Sequence, residues 1–324
     1  MELPRRACIV ATSMLRGFGK KWRRVLWREG LKSGLRTTWE LGKIIFPVTL
    51  AVSVLQYTAL YDVLLSALTP VMALIGLPNE AAVPLALGNL LNLYAAIGAI
   101  LTMELTVKQV FILALMLSFS HSLPVEAAVC RRIGVSVSLV VGFRVALALV
   151  AAGLVNVLWN GGGQVARYGL APVSEVEPSG WGEIFLGALQ SAVVGIFQLA
   201  LIVFPVMMTI QMLKDLGALG WFAAKMRPLM RLFGVAPHGA VTMAGGLIFG
   251  LAFGAGVILE QVREQKFTKR ELTLMILFLC ACHAVIEDTL IFIPLGINVL
   301  PLLLFRLLAA VILTLLIARL WREA

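Results

Sequence analysis

Two stretches of the sequence end apolar runs with a histidine followed closely by carboxylates. "SFSHSLPVEAAVCRRIG" carries His121 and Glu126, and "LCACHAVIEDTLIFIPLG" carries His283, Glu287 and Asp288. A charged group inside a bilayer costs about 2.5–3.5 kcal/mol even on permissive scales, so such residues face a cavity or a partner. Imidazole beside carboxylates offers two chemistries, a proton relay or the ligation of a divalent ion. His283 and Glu287 stand four residues apart, which puts them on one face of a helix. With His121 they form the candidate metal set, and Cys280 and Cys282 adjoin it. Arg144 and Arg306 each follow a glycine, Gly134 or Gly296, by ten residues. They are placed either to neutralise Glu126 and Asp288 or to meet an anionic solute. Asn89 and Asn92, in "LGNLLNLYAAIGAI", add hydrogen-bonding groups to the candidate substrate-binding set. The competing account makes each His–carboxylate pair a packing device, and recurrence of the pattern is what weighs against it.

The elements that must position these residues are membrane helices. The chain of 324 residues is 60% hydrophobic and 14% charged, with a mean hydropathy of +0.96. A soluble domain of that composition would lack the polar surface to cover its core, whereas apolar stretches of spanning length fit a polytopic helical membrane protein. No alternation of period two supports a β-barrel. Four cysteines (Cys8, Cys130, Cys280, Cys282) have no disulfide-framework spacing.

The chain repeats itself. Phe46-Pro47-Val48 recurs as Phe204-Pro205-Val206, and the same offset of 158 pairs Pro70 with Pro228, Gly76 with Gly234, and Gly88 with Gly246. After a four-residue insertion within Glu260–Arg270 the offset becomes 162. It then pairs Thr106 with Thr268, His121 with His283, Glu126 with Asp288, Gly134 with Gly296, and Arg144 with Arg306. Proline, histidine, acid and arginine in one order with one insertion mark a duplication. The organisation expected is a basic amphipathic segment over 1–43, a first repeat over 44–160, an extracytoplasmic linker over 161–182, and a second repeat over 183–324.

Charge placement orients the repeats. Residues 1–43 hold eleven of the 27 Lys and Arg against three acids. Leu15, Phe18, Trp22, Val25 and Leu26 recur among them at helical spacing, which suits an interfacial helix on anionic lipids rather than a nucleic-acid-binding arm. Positive-inside logic puts this arm, Arg131-Arg132, "KMRPLMR" and "RLWRE" in the cytoplasm. One arrangement meets all of these: the His-bearing segment dips in and returns, leaving three crossings per copy and inverted repeats. It has a cost, since the basic residues of 263–270 then lie outside. Pro124 supports a break, with Ser122 capping the following half-helix and the freed backbone groups facing a cavity. Copy two has Ile286 where Pro124 stands. Parallel repeats with four crossings each stay open as the alternative.

The stretches "HSLPVEAAVCRRIG" and "HAVIEDTLIFIPLG", each followed by its Arg-bearing helix, resemble the Gate-domain, or nucleoside-recognition-domain, membrane proteins. That group takes in spore maturation proteins and the gate repeats of the ferrous-iron transporter. The resemblance implies an all-α fold of two inverted gate repeats and a role in moving a solute across the membrane; the localisation expected is a bacterial inner membrane, with the N-terminus cytoplasmic by charge. It leaves the substrate open between a divalent ion and an organic solute such as a nucleoside. There is no Gly-Lys-Ser/Thr phosphate loop, so nucleotide hydrolysis is not expected in this chain. The expectation is a permease and not an enzyme, with no certain cofactor beyond an optional divalent ion, and with homo-oligomerisation open. A membrane scaffold and a metal-dependent intramembrane hydrolase are the alternatives.

Overall fold

The structure is a computed structural model that describes residues 69–167, 180–264 and 267–321, with scattered positions from 31 to 58. Most of the basic arm, Cys8, most of 44–68 and much of the inter-repeat linker lie outside the described residues. Copy one contributes α1 (Ala82–Leu90), α2 (Leu93–Ile100), α3 (Val107–Ser120), α4 (Leu123–Ile133) and α5 (Val137–Leu158). Copy two contributes α6 (Trp181–Asp215), α7 (Ala218–Phe233), α8 (Gly239–Glu264), α9 (Lys269–Ala281), α10 (Glu287–Leu290) and α11 (Val299–Leu320).

Local chemistry starts the helices in the same way in both copies. Thr106 and Thr268 each close a capping box, with Gln109 and Glu271 respectively, at the heads of α3 and α9. Ser136 and Asn298 cap α5 and α11. The final helices divide into two faces. In α11, Leu302, Arg306, Ala310, Thr314 and Ala318 are buried, while Leu304, Leu308, Ile312 and Leu316 along its body are exposed for lipid to cover. At the centre, α3 and α9 are enclosed nearly all round, from Val110 to Ser120 and from Thr273 to Ala281. α3 packs on α5 and on α11, and α9 packs on α11 and on α5, so the two copies clasp each other crosswise.

The His-bearing segments cross the whole layer, which corrects the expectation that they dip and return. At the head of α3, Lys108 Nζ donates to Asn156 O at 2.9 Å, near the C-terminal end of α5, and Val107 N to Gln164 O at 2.9 Å, in the chain that follows it. α4 then runs into Gly134 and the start of α5. A helix of 22 residues is about 33 Å long, so α3 and α4 together traverse that length. In copy two, Arg270 Nε donates to Trp321 O and its Nη2 to Ala318 O, both at 2.7 Å at the end of α11. Gly296 leads into the head of α11. The chain breaks midway, yet each half-helix continues onward because the break shifts the helix rather than reversing it.

The segments that turn back are the glycine-studded ones. α1 and α2 pack on each other around a break at Leu91 and Asn92. Both ends of this hairpin lie at one level: Gly76 abuts the Asn156 side chain, and Leu105 O accepts from Ala166 N at 2.8 Å. In copy two, α8 is kinked at Gly250 (φ 77°, ψ 172°). Ala236 N donates to Glu271 Oε1 at 2.7 Å, and the His238 ring lies 4.7 Å from that of Phe267, so this hairpin also starts and ends at one level.

The copies run in opposite senses. A Cβ on Gly296 would meet Arg167 O at 2.5 Å, which seats the head of α11 beside the linker residues that follow the end of α5. α5 and its counterpart α11 are therefore antiparallel, and the pseudo-twofold axis lies across the layer. One end of the molecule then gathers Arg131, Arg132, Arg231, Lys269, Arg270 and Arg319. The basic residues after Thr268 join Arg131-Arg132 instead of opposing them, which removes the cost that the dipping arrangement carried.

Candidate functional site

Both breaks are held by the neighbouring hairpin. His121 ends α3 with extended backbone, and Ser122 follows in the left-handed region at φ 53°. The Ser122 N–H donates to Gly88 O at 2.8 Å. In copy two, Ala284 has φ 42° and donates to Gly246 O at 3.2 Å, and Val285 N donates to Leu247 O at 2.8 Å. The freed donors are thus satisfied by protein carbonyls rather than turned to a cavity, as buried backbone must be. Ser122 holds the N-cap position without a side-chain capping bond. Copy two breaks without a proline because these hairpin bonds suffice. Gly88 and Gly246 permit the approach: a Cβ there would lie 2.3 Å from Leu117 Cδ2 and 2.5 Å from Leu279 Cδ1.

The two arginines bridge the breaks. Arg144 Nε donates to Phe119 O at 2.6 Å, and its Nη1 lies 2.7 Å from Glu126 Oε2, an ion contact outside hydrogen-bond angles. Arg306 Nη2 donates to His283 O at 2.8 Å and meets Asp288 Oδ2 at 3.3 Å, while Nη1 donates to Thr289 Oγ1 at 3.3 Å. Each guanidinium covers carbonyls at the negative end of one half-helix and a carboxylate in the first turn of the next. Both arginines are 0% exposed. Of the two roles open in the sequence, the structure places them in the neutralising one.

The histidines meet at the centre with ring centroids 5.2 Å apart. Nδ1 of His121 lies 2.8 Å from Leu117 O, and Nδ1 of His283 lies 2.8 Å from Leu279 O. A carbonyl only accepts, so each Nδ1 carries the hydrogen and each Nε2 faces inward. His283 Nε2 is 3.2 Å from Glu126 Oε1 and 3.5 Å from Asp288 Oδ2. His121 Nε2 is 3.5 Å from Glu126 Oε1 and 4.0 Å from Asp288 Oδ2. All four residues are buried.

Glu287 stands elsewhere: its Oε1 accepts from the Tyr94 hydroxyl on α2 of the opposite copy. The i, i+4 pairing of His283 with Glu287 does not arise because residues 282–286 are not helical. Among the described residues the metal-competent group is His121, His283 and Asp288, with ligand atoms within 4.8 Å of one another, so Asp288 takes the place assigned to Glu287. Asn89 Oδ1 accepts from Ser120 Oγ at 2.8 Å, tying hairpin to broken helix. Asn92 caps α2 through Ala95 N at 3.0 Å. Its counterpart Gly250 marks the other hairpin's kink. Tyr94 and Thr289 were not anticipated. Tyr94 had one signal, a lone phenol within an apolar run, since a buried tyrosine hydroxyl seeks a partner.

An all-α membrane protein of two repeats, clasped at a central His–carboxylate cluster, is the class that this fold defines. The family model for Gate, described as nucleoside recognition, matches residues 38–136 and 196–298. The two matches begin 158 residues apart and end 162 apart, reproducing the repeat and its insertion. The chain belongs to the Gate family. It is similar to a protein of Bacillus subtilis (strain 168) described as uncharacterized membrane protein YvoD, with 49% identity over 294 residues, 91% of this chain and 94% of that protein. No solved structure matches the chain.

Proposed function

We propose that the chain is a transporter of the Gate type that moves a small polar solute or ion through the cluster between its two repeats. The observation that carries this reading is the meeting of two broken crossing helices at a shared set of polar side chains. Breaks of this kind at the midplane of inverted repeats form substrate sites in secondary transporters. Each break rests on a hairpin of its own copy, so movement of one hairpin would uncover the cluster from one side. Orientation follows from charge: the basic end faces the cytoplasm of a bacterial inner membrane, with the N-terminus inside and the linker 161–182 outside. The basic segment 1–43 then lies on anionic lipid.

Flux into proteoliposomes tests the reading, run for divalent ions and for nucleosides. His121→Gln and His283→Gln should insert and melt near the parent while losing uptake, because Glu126 and Asp288 keep Arg144 and Arg306 as ion partners. Early melting, or uptake at the parent rate, would assign the histidines to packing and remove the site.

A further inference from the structure

Four hydrogen-bond acceptors converge at the centre of this molecule. His121 Nε2 and His283 Nε2 each present a lone pair once Nδ1 has given its hydrogen to Leu117 O or Leu279 O. Facing them at 3.2–4.0 Å are Glu126 Oε1 and Asp288 Oδ2, which as carboxylate oxygens only accept. Acceptors do not bond to acceptors. A donor or a cation has to sit among them, either as protons shared between rings and carboxylates or as a metal ion.

The geometry points to a metal. We propose that His121 Nε2, His283 Nε2, Asp288 Oδ2 and Glu126 Oε1 bind one divalent first-row transition-metal ion, and that this ion is the solute carried. The second clause rests on the transport reading above, and the first does not. A metal held at about 2.0–2.1 Å by four tetrahedral ligands sets those ligands about 3.3 Å apart. The four His–carboxylate separations are 3.2–4.0 Å, and His121, His283 and Asp288 keep their ligand atoms within 4.8 Å of one another, so this trio closes on an ion by side-chain movement and Glu126 Oε1, beside both rings, moves in as the fourth ligand.

Second-sphere groups are already in place. Leu117 O and Leu279 O fix the tautomer and the rotation of each ring, as outer partners of ligating histidines do. Arg144 takes Glu126 through Oε2, leaving Oε1 to the cluster. Two imidazoles with carboxylates suit zinc, iron or manganese more than calcium or magnesium, which prefer all-oxygen shells. The two arginines offset the charge of the two carboxylates before any ion enters. Such a site holds an ion less tightly than an unbalanced one, which suits passage rather than permanent residence. Ligands come from both copies and from both sides of two helix breaks. A change at either break therefore alters the shell.

The test uses the purified full chain in detergent, titrated with Co²⁺ and followed by visible absorption, and with Zn²⁺ followed by calorimetry. One ion per chain with tetrahedral Co²⁺ bands is expected. His121→Gln, His283→Gln and Asp288→Asn should each weaken binding at least tenfold. His238→Gln, beside Phe267 at the basic end, should leave it unchanged. A folded parent protein that binds neither ion, or binds equally after His121→Gln/His283→Gln, overturns the metal site and leaves protons as the cation. Uptake of ⁶⁵Zn²⁺ or Mn²⁺ into proteoliposomes separates the two readings. Binding without flux of any solute keeps the site and removes the transport reading. Nucleoside flux without metal binding keeps transport and removes the metal.

Discussion

Each buried arginine holds its helix break together through both a carbonyl and a carboxylate. Removing one partner of a buried ion pair strands the other and costs about 3–5 kcal/mol. Arg144→Met should therefore lower the melting temperature sharply, and Arg144→Met/Glu126→Gln should recover much of the loss, measured by thermal unfolding in detergent. Equal melting of the single and double variants would mean that the carbonyl of Phe119, not the carboxylate, is what Arg144 serves. The residue types at this scale were plain in the sequence, and so was the pairing of Arg144 with Glu126 as one of two options. The partner of Glu287 was not. Tyr94 and Glu287 are 193 residues apart, and their counterparts, Ala252 and Val125, cannot make the same bond. A repeat argument is blind to a contact that only one copy makes.

Among the elements, the hairpins determine where the crossing helices break. Gly88→Ala and Gly246→Ala would press a Cβ against Leu117 and Leu279, and overpacking of this kind costs about 1–3 kcal/mol. Both should lower the melting temperature, while Gly142→Ala, which meets nothing within 4 Å, should not. Ser122 takes a left-handed conformation that L-residues adopt at a cost of about 1–2 kcal/mol. Ser122→Gly should melt no lower than the parent, and Ser122→Val should melt lower. Gly246 lies in the run "GGLIFGLAFGAG", whose small-residue spacing suits close helix packing. That the glycine-studded segments fold back, while the His-bearing ones go across, was not legible. Both are apolar runs broken near the middle, and hydropathy cannot tell a turn from a shifted helix.

For the whole molecule, antiparallel α5 and α11 place equivalent positions on opposite faces of the membrane. Ser138→Cys and Leu300→Cys, both exposed, are such a pair. An impermeant maleimide applied to intact cells should reach Leu300→Cys and spare Ser138→Cys, with the reverse in inverted vesicles. Labelling of both from one side would make the repeats parallel.

Sequence alone determined the helical membrane class and the duplication with its insertion, and it offered His121, Glu126, His283, Glu287 and Asp288 as the set from which the central cluster is drawn. Those conclusions rest on composition and on an order of residue types, which survive without coordinates. Inversion of the repeats was inferred from charge, and α5 and α11 do run antiparallel, although the segment assigned to turn back was the wrong one. Tertiary structure decided which runs cross, which arginine atom meets which carboxylate, and that Asp288 rather than Glu287 joins the histidines. The reason is that helix breaks erase the i, i+4 rule locally. Beyond a break, a side chain's direction depends on the carbonyl that catches the freed N–H, and here that carbonyl belongs to a hairpin dozens of residues away in the chain.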